Sequence, residues 1–161
     1  MLTKTGIPTK EDLLSKFPSQ SALLKPKALL ECYQDIPCNP CETSCPFHAI
    51  TIGKDINLQP VLNEKLCTGC GICISSCPGL AIMVVQILKD SLQFKIPYEF
   101  LPIPKKGQIW HALNRAGQVI GDALILSVIL TSKQDKTALV TVSVEKKNLY
   151  EFVTIRCPNE N

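Results

Sequence analysis

Residues 38–52, CNPCETSCPFHAITI, repeat at residues 70–84, CGICISSCPGLAIMV, with an offset of 32. Cys38 falls on Cys70, Cys41 on Cys73 and Cys45 on Cys77. Pro46 falls on Pro78, Ala49 on Ala81 and Ile50 on Ile82. The match covers thiols, punctuation and the apolar residues that follow. The chain therefore carries two copies of one short unit, and any fold it adopts must accommodate both.

Nine cysteines in 161 residues leave two explanations, a disulfide framework or metal ligation. The opening MLTKTGIPTKEDLLSKF has no apolar signal core, which predicts a reducing compartment, the cytoplasm, where disulfides are rare. The longest apolar runs, LAIMVV (80–85) and ALILSVIL (123–130), fall short of the roughly 18 residues of a spanning helix, so no membrane span is expected. A formal charge of +3 without a long basic block gives no reason to expect a nucleic-acid partner. Metal ligation is also a common remedy for small domains that bury too little apolar surface.

The second copy is complete: Cys67, Cys70, Cys73, Cys77 and then Pro78. This is C-x2-C-x2-C-x3-C-P, the run by which bacterial ferredoxins hold [4Fe–4S] clusters. Three closely spaced thiolates grip three corners of a cubane, and the fourth corner needs a distant residue. In two-cluster ferredoxins the cysteine before proline serves the other cluster. By that rule cluster II takes Cys67, Cys70, Cys73 and Cys45. Cluster I takes Cys38, Cys41 and Cys77 and lacks one ligand. Counting back through the repeat, the missing cysteine belongs at position 35, which holds Asp35. Cys32 lies three residues upstream. Either Cys32 reaches the last iron through a five-residue spacing, or Asp35 is the ligand or the site is [3Fe–4S], or the first loop is empty.

Zinc sites usually show cysteines in pairs, four ligands to a metal, so triplets followed by Cys-Pro are atypical of them. Cys157 also precedes a proline but has no neighbouring cysteine, and reads as a structural or free thiol. His48 and His111 are isolated and read as structural. There is no nucleophile–base constellation, no P-loop and no G-x-G-x-x-G, so no catalytic residue is expected.

Residues 1–30 read as an N-terminal arm, with a short helix over 9–17 capped by Thr9 and with Asp12 at its third position. Residues 31–90 form the dicluster domain. Residues 91–161 carry about five alternating segments between turns, among them TALVTVSVE with Val140, Val142 and Val144 on one face. The expected fold class is α+β: a ferredoxin-like 2[4Fe–4S] domain followed by a small antiparallel β barrel or sandwich. The last part is a packing module or a docking platform, with Trp110 or the PIPKKGQ segment at the contact.

Residues 31–88 resemble the dicluster 2[4Fe–4S] ferredoxin family. More narrowly, ECYQDIPCNPCETSCPFHAI with LCTGCGICISSCPGLAI, and LPIPKKGQ with ALNRAGQVIGDA downstream, resemble the small ferredoxin-like subunits of FAD-dependent amino-acid dehydrogenase complexes of the proline and hydroxyproline types. That resemblance implies FAD on partner subunits, often with a [2Fe–2S] protein, and a chain that relays single electrons without catalysing bond-making itself. The alternative is a free-standing carrier with an accessory β domain. Pro37 and Pro40 remove backbone donors from the first loop and Asp35 adds an acid, so cluster I is expected at the more negative potential.

Overall fold

The computed structural model describes residues 2–158. A four-residue helix α1 (Leu2–Thr5) is followed by α2 (Lys10–Lys16), which starts where the sequence predicts. The Thr9 hydroxyl accepts from the Asp12 N–H at 3.2 Å, and the Asp12 carboxylate accepts from the Thr9 N–H at 3.0 Å, a reciprocal capping box. Pro26 then turns the chain into strand β1 (Lys27–Leu30).

The two repeat units follow. Helix α3 (Pro40–Ser44) leads to strand β2 (Ile50–Thr51), which pairs with β3 (Val61–Leu62). Helix α4 (Ile72–Ser76) leads to β4 (Ile82–Ile87), which pairs with β1. The repeat extends into hydrogen bonds that the amino-acid match does not reveal. The Asn63 N–H donates to the Ala49 carbonyl at 2.7 Å, and the Glu31 N–H to the Ala81 carbonyl at 2.8 Å. His48 and Leu80 take the same left-handed turn, at φ 50° and 52°. His48 is thus an exposed turn residue.

The remaining strands are β5 (Leu92–Tyr98), β6 (Ile109–Asn114), β7 (Val119–Ile129), β8 (Ala138–Val144) and β9 (Phe152–Arg156). They do not form a separate barrel or sandwich. They continue β1 and β4 into one open seven-stranded sheet of order β1-β4-β5-β8-β7-β6-β9, every pairing antiparallel. The sheet curls over its own apolar face, bringing the rings of Phe94 on β5 and Phe152 on β9 to 4.8 Å, while β1 and β9 remain its edges.

The reason for the continuation is visible in β1 and β4. Side chains alternate across a strand, yet all four residues of β1 and the first four of β4 are buried. Leu29, Met83 and Val85 face the core of the long sheet, with Phe94, Val142 and Phe152. Ala28, Leu30, Ile82 and Val84 face a second core, built on Ile50, Ile74 and three of the cysteines. Two strands form a common wall between two cores. Alternation within residues 91–161 encodes which face is apolar but not which strand lies beyond the edge. Trp110, 3% exposed, packs edge-to-face on Tyr98 and donates its indole N–H to Gln108, so it is a core residue and no surface anchor.

Candidate metal centres

The second core opens into two cavities, and the cysteines divide between them. One is walled by Cys67, Cys70 and Cys73 from the second loop and by Cys45 from the first. The other is walled by Cys38 and Cys41 from the first loop, Cys77 from the second, and Cys32. The helices set this exchange. Each begins within its loop and ends on the cysteine before proline, with Cys45 N–H bonded to Glu42 and Cys77 N–H to Ile74 at the same 3.3 Å. The helix therefore carries one thiol out of its own loop and toward its neighbour's. Asp35 does not line the second cavity. It is exposed, and its carboxylate accepts from the Gln59 side-chain N–H at 3.1 Å. Cys157 lies apart, buried against the long sheet's core. His111, on β6, pairs with Asp122 and Arg156 across the sheet, away from both cavities.

The electrostatics follow the same division. Burial pushes the Cys73 thiol up to about 12, and its neighbours Cys67, Cys70 and Cys45 push it the same way. Burial pushes Cys41 up to about 11, seconded by Cys77 and Cys38. Cys32 is also raised, by burial first and then by Cys77 and Cys38. Thiols so crowded resist ionising together unless a cationic centre sits among them, since a bound metal deprotonates its thiol ligands outright. Among the described residues no three His, Cys, Asp or Glu side chains are placed to share a single metal ion. All nine cysteines are free. The donor set is four thiols around each cavity, with apolar residues between them, and it suits a four-cornered cluster in each.

Backbone amides point at these sulfurs. Ala49 N–H donates to Cys45 Sγ and Ala81 N–H to Cys77 Sγ, both at 3.4 Å, the same contact in each repeat. Ala28 N–H adds a donor to Cys67 Sγ at 3.3 Å. The second loop is also packed more closely. Gly69 has φ +71°, and a Cβ there would lie 2.5 Å from Pro26 Cβ and 2.6 Å from its carbonyl oxygen. Gly71, at φ +89°, lets the Lys95 stem and Leu139 lie against the loop.

The first loop is anchored differently. Arg115, in the β6–β7 turn, forms a bidentate pair with Glu31, the residue before Cys32, and donates to the carbonyls of Tyr150 and Glu151. Both side chains are about nine-tenths buried. Gln59 bridges a second contact, accepting from Lys16 Nζ at 2.7 Å and donating to the Tyr33 carbonyl and Asp35. None of these partners carries a motif.

Residues 36–81 match the family described as the 4Fe-4S dicluster domain. Over that segment the chain is similar to ferredoxin-type 4Fe-4S domains. It is 44% identical over 52 residues to the ferredoxin-type protein NapF of Escherichia coli, covering 31% of this chain and 32% of NapF. It is 31% identical over 105 residues to ABC transporter E family member 1 of Arabidopsis thaliana, covering 55% of this chain and 16% of that protein. It is 32% identical over 109 residues to Protein Pixie of Drosophila melanogaster, covering 58% and 17%. The chain spans a third or less of the length of these curated relatives. No solved structure matches. Among the described residues no helix is long and apolar enough to cross a membrane.

Proposed function

We propose that the chain is the electron-transfer iron–sulfur subunit of a multi-subunit flavin-dependent oxidoreductase. In this reading Cys32, Cys38, Cys41 and Cys77 hold cluster I, and Cys67, Cys70, Cys73 and Cys45 hold cluster II. Each [4Fe–4S] cluster, when bound, exchanges one electron at a time. The observation that carries the reading is the crossed division of eight thiols between two cavities. It favours Cys32 over Asp35 as the fourth ligand of cluster I, because Cys32 lines that cavity and Asp35 is engaged with Gln59.

The protein's own part is positional. The loops fix the thiols, the shared wall of β1 and β4 keeps water from one side, and the Ala28, Ala49 and Ala81 amides offset negative charge on sulfur. The rims are apolar and open: Phe47 and Ile72 beside one cavity, Ile36 and Leu58 beside the other, are each 44–49% exposed. Electrons can therefore enter and leave at two separate faces. A two-electron flavin on a partner subunit suits such a pair of one-electron outlets.

The finer identity, an amino-acid or amine dehydrogenase complex with FAD-bearing subunits and a [2Fe–2S] protein, rests on the LPIPKKGQ and ALNRAGQVIGDA segments. The first of these offers a docking edge. Phe100 and Leu101 are 72% and 78% exposed, the most exposed large apolar residues described, and Lys105 and Lys106 follow them. Anaerobic purification from the native source tests the whole reading. Expected are about eight irons per chain, since each cubane has four, no stoichiometric zinc, and a co-purifying flavoprotein that Phe100→Ser with Leu101→Ser releases. A chain that runs alone and serves many acceptors would instead be a free-standing carrier.

A further inference from the structure

Lys27 is 8% exposed, the first residue of β1 in a wall otherwise made of apolar side chains. A buried ammonium is costly unless a negative group compensates it. Among the described residues Lys27 forms no ion pair; the salt bridges found are Arg115–Glu31 and Lys147–Glu145. Its Nζ donates to the carbonyl oxygen of Cys67. Glu64 is near enough to be lowered by Lys27, but that carboxylate is exposed and held chiefly by the Ser19 N–H and hydroxyl at 2.9 Å. The backbone on either side of Lys27 leads to the same place. Pro26 presses on Gly69, and Ala28 lines the cavity of Cys45, Cys67, Cys70 and Cys73 and bonds Cys67 Sγ. A second lysine, Lys95 on β5, reaches the same loop and donates to the carbonyls of Gly69 at 3.4 Å and Cys70 at 3.2 Å. It too has no carboxylate partner among the described residues.

The other cavity has no such excess. Its nearby cation, Lys16, and its nearby acid, Asp35, are bonded to opposite ends of the Gln59 amide, and Glu31 is neutralised by Arg115. A cubane held by four thiolates is net negative, and one-electron reduction makes it more so. We propose that Lys27, seconded by Lys95, is the fixed counter-charge of the second loop's cluster and makes that cluster the first of the two to accept an electron. The step is a single electron from an outside one-electron reductant, with no bond made or broken and no proton moved. The inference rests on the two-cluster reading above. It assigns the difference in potential to two lysines, with Asp35 contributing little because it is exposed and shared with Gln59.

The test is an anaerobic redox titration of the full chain with dithionite, followed by EPR. The wild type should show about eight irons and two separate one-electron waves; failure at that stage sinks the two-cluster reading, not only this inference. Lys27→Met should make reduction at the upper wave at least tenfold less favourable, about 59 mV for one electron, and move the lower wave much less. Lys27→Arg should retain the upper wave. Lys95→Met, at a part-exposed site, should lower the same wave by a smaller factor and serves if Lys27→Met does not fold. Lys16→Met should move only the lower wave. An upper wave unmoved in Lys27→Met or Lys95→Met at full iron content, or one moved by Lys16→Met instead, overturns the proposal.

Discussion

The two cysteine loops share a backbone plan and differ in what surrounds it. In both, a five-residue helix ends on the crossing cysteine, a left-handed residue follows at φ near 50°, and an alanine N–H turns back onto sulfur. The second loop is glycine-lined, tightly covered by Pro26, and flanked by two lysines that lack carboxylate partners among the described residues. The first has Pro37 where the second has Gly69, reaches back to Cys32 for its fourth thiol, and is moored through Glu31 to an arginine far along the chain. Repetition has conserved the placing of thiols. Divergence has gone into charge and anchorage, the two levers that set how readily each site takes an electron and how firmly it holds together.

The sharpest way to break the comparison is to remove a crossing thiol. Cys45→Ser should cost the cluster served by the second loop, and Cys77→Ser the one served by the first, each leaving about four irons of eight. Loss of the cluster in the variant's own loop would overturn the crossed arrangement. Cys32→Ala should behave as Cys77→Ser does, while Asp35→Ala keeps full iron.

Anchorage comes next. Arg115→Ala strands the buried Glu31 carboxylate and should destabilise the protein by about 3–5 kcal/mol. Chemical denaturation gives the size. Iron release into a chelator should quicken at the Cys32 site before the other, and equal release from both would mean that the mooring is not specific to the first loop.

Close packing should matter less. Gly69→Ala combines a left-handed backbone with a clash against the Pro26 carbonyl, worth about 1–3 kcal/mol. The same change at Gly79, where a Cβ meets nothing within 4 Å, should be nearly silent in thermal unfolding.

The smallest effect is one of pH on the iron-free chain. Cys41 and Cys73 are held up at about 11 and about 12, against an ordinary 9.0. Between those values the folded chain binds more protons than the unfolded one, so stability falls as pH rises. The contribution is whole below about pH 9 and lost through pH 11–12. Denaturation midpoints of the iron-free protein should therefore decline across that window. Alkylation at pH 8 should mark exposed Cys70 well before buried Cys41 and Cys73.

Much of the site was legible because ligation is written in spacing. The repeat placed three thiols of each set, and the turn from Thr9 to Asp12 announced its helix. What stayed illegible depends on contacts between distant segments. Nothing in a local pattern tells Arg115 to find Glu31, or Gln59 to occupy Asp35. The alternating strands after residue 91 gave the character of the sheet but not its extent. A buried strand residue such as Val85 looks the same whether its strand closes a barrel or joins another sheet. KALL, read as part of an N-terminal arm, is a strand buried on both faces, as is IMVV.

The common wall of β1 and β4 couples assembly of the metal sites to completion of the long sheet. A strand with one face in each core cannot settle on one side while the other is still open to water. A nascent chain awaiting iron would keep an unfinished border along the edge of an otherwise formed sheet. Filling the cavities would then close that border, so that a chain with its full complement of iron is also the one with no loose strand to offer a protease or a neighbouring chain.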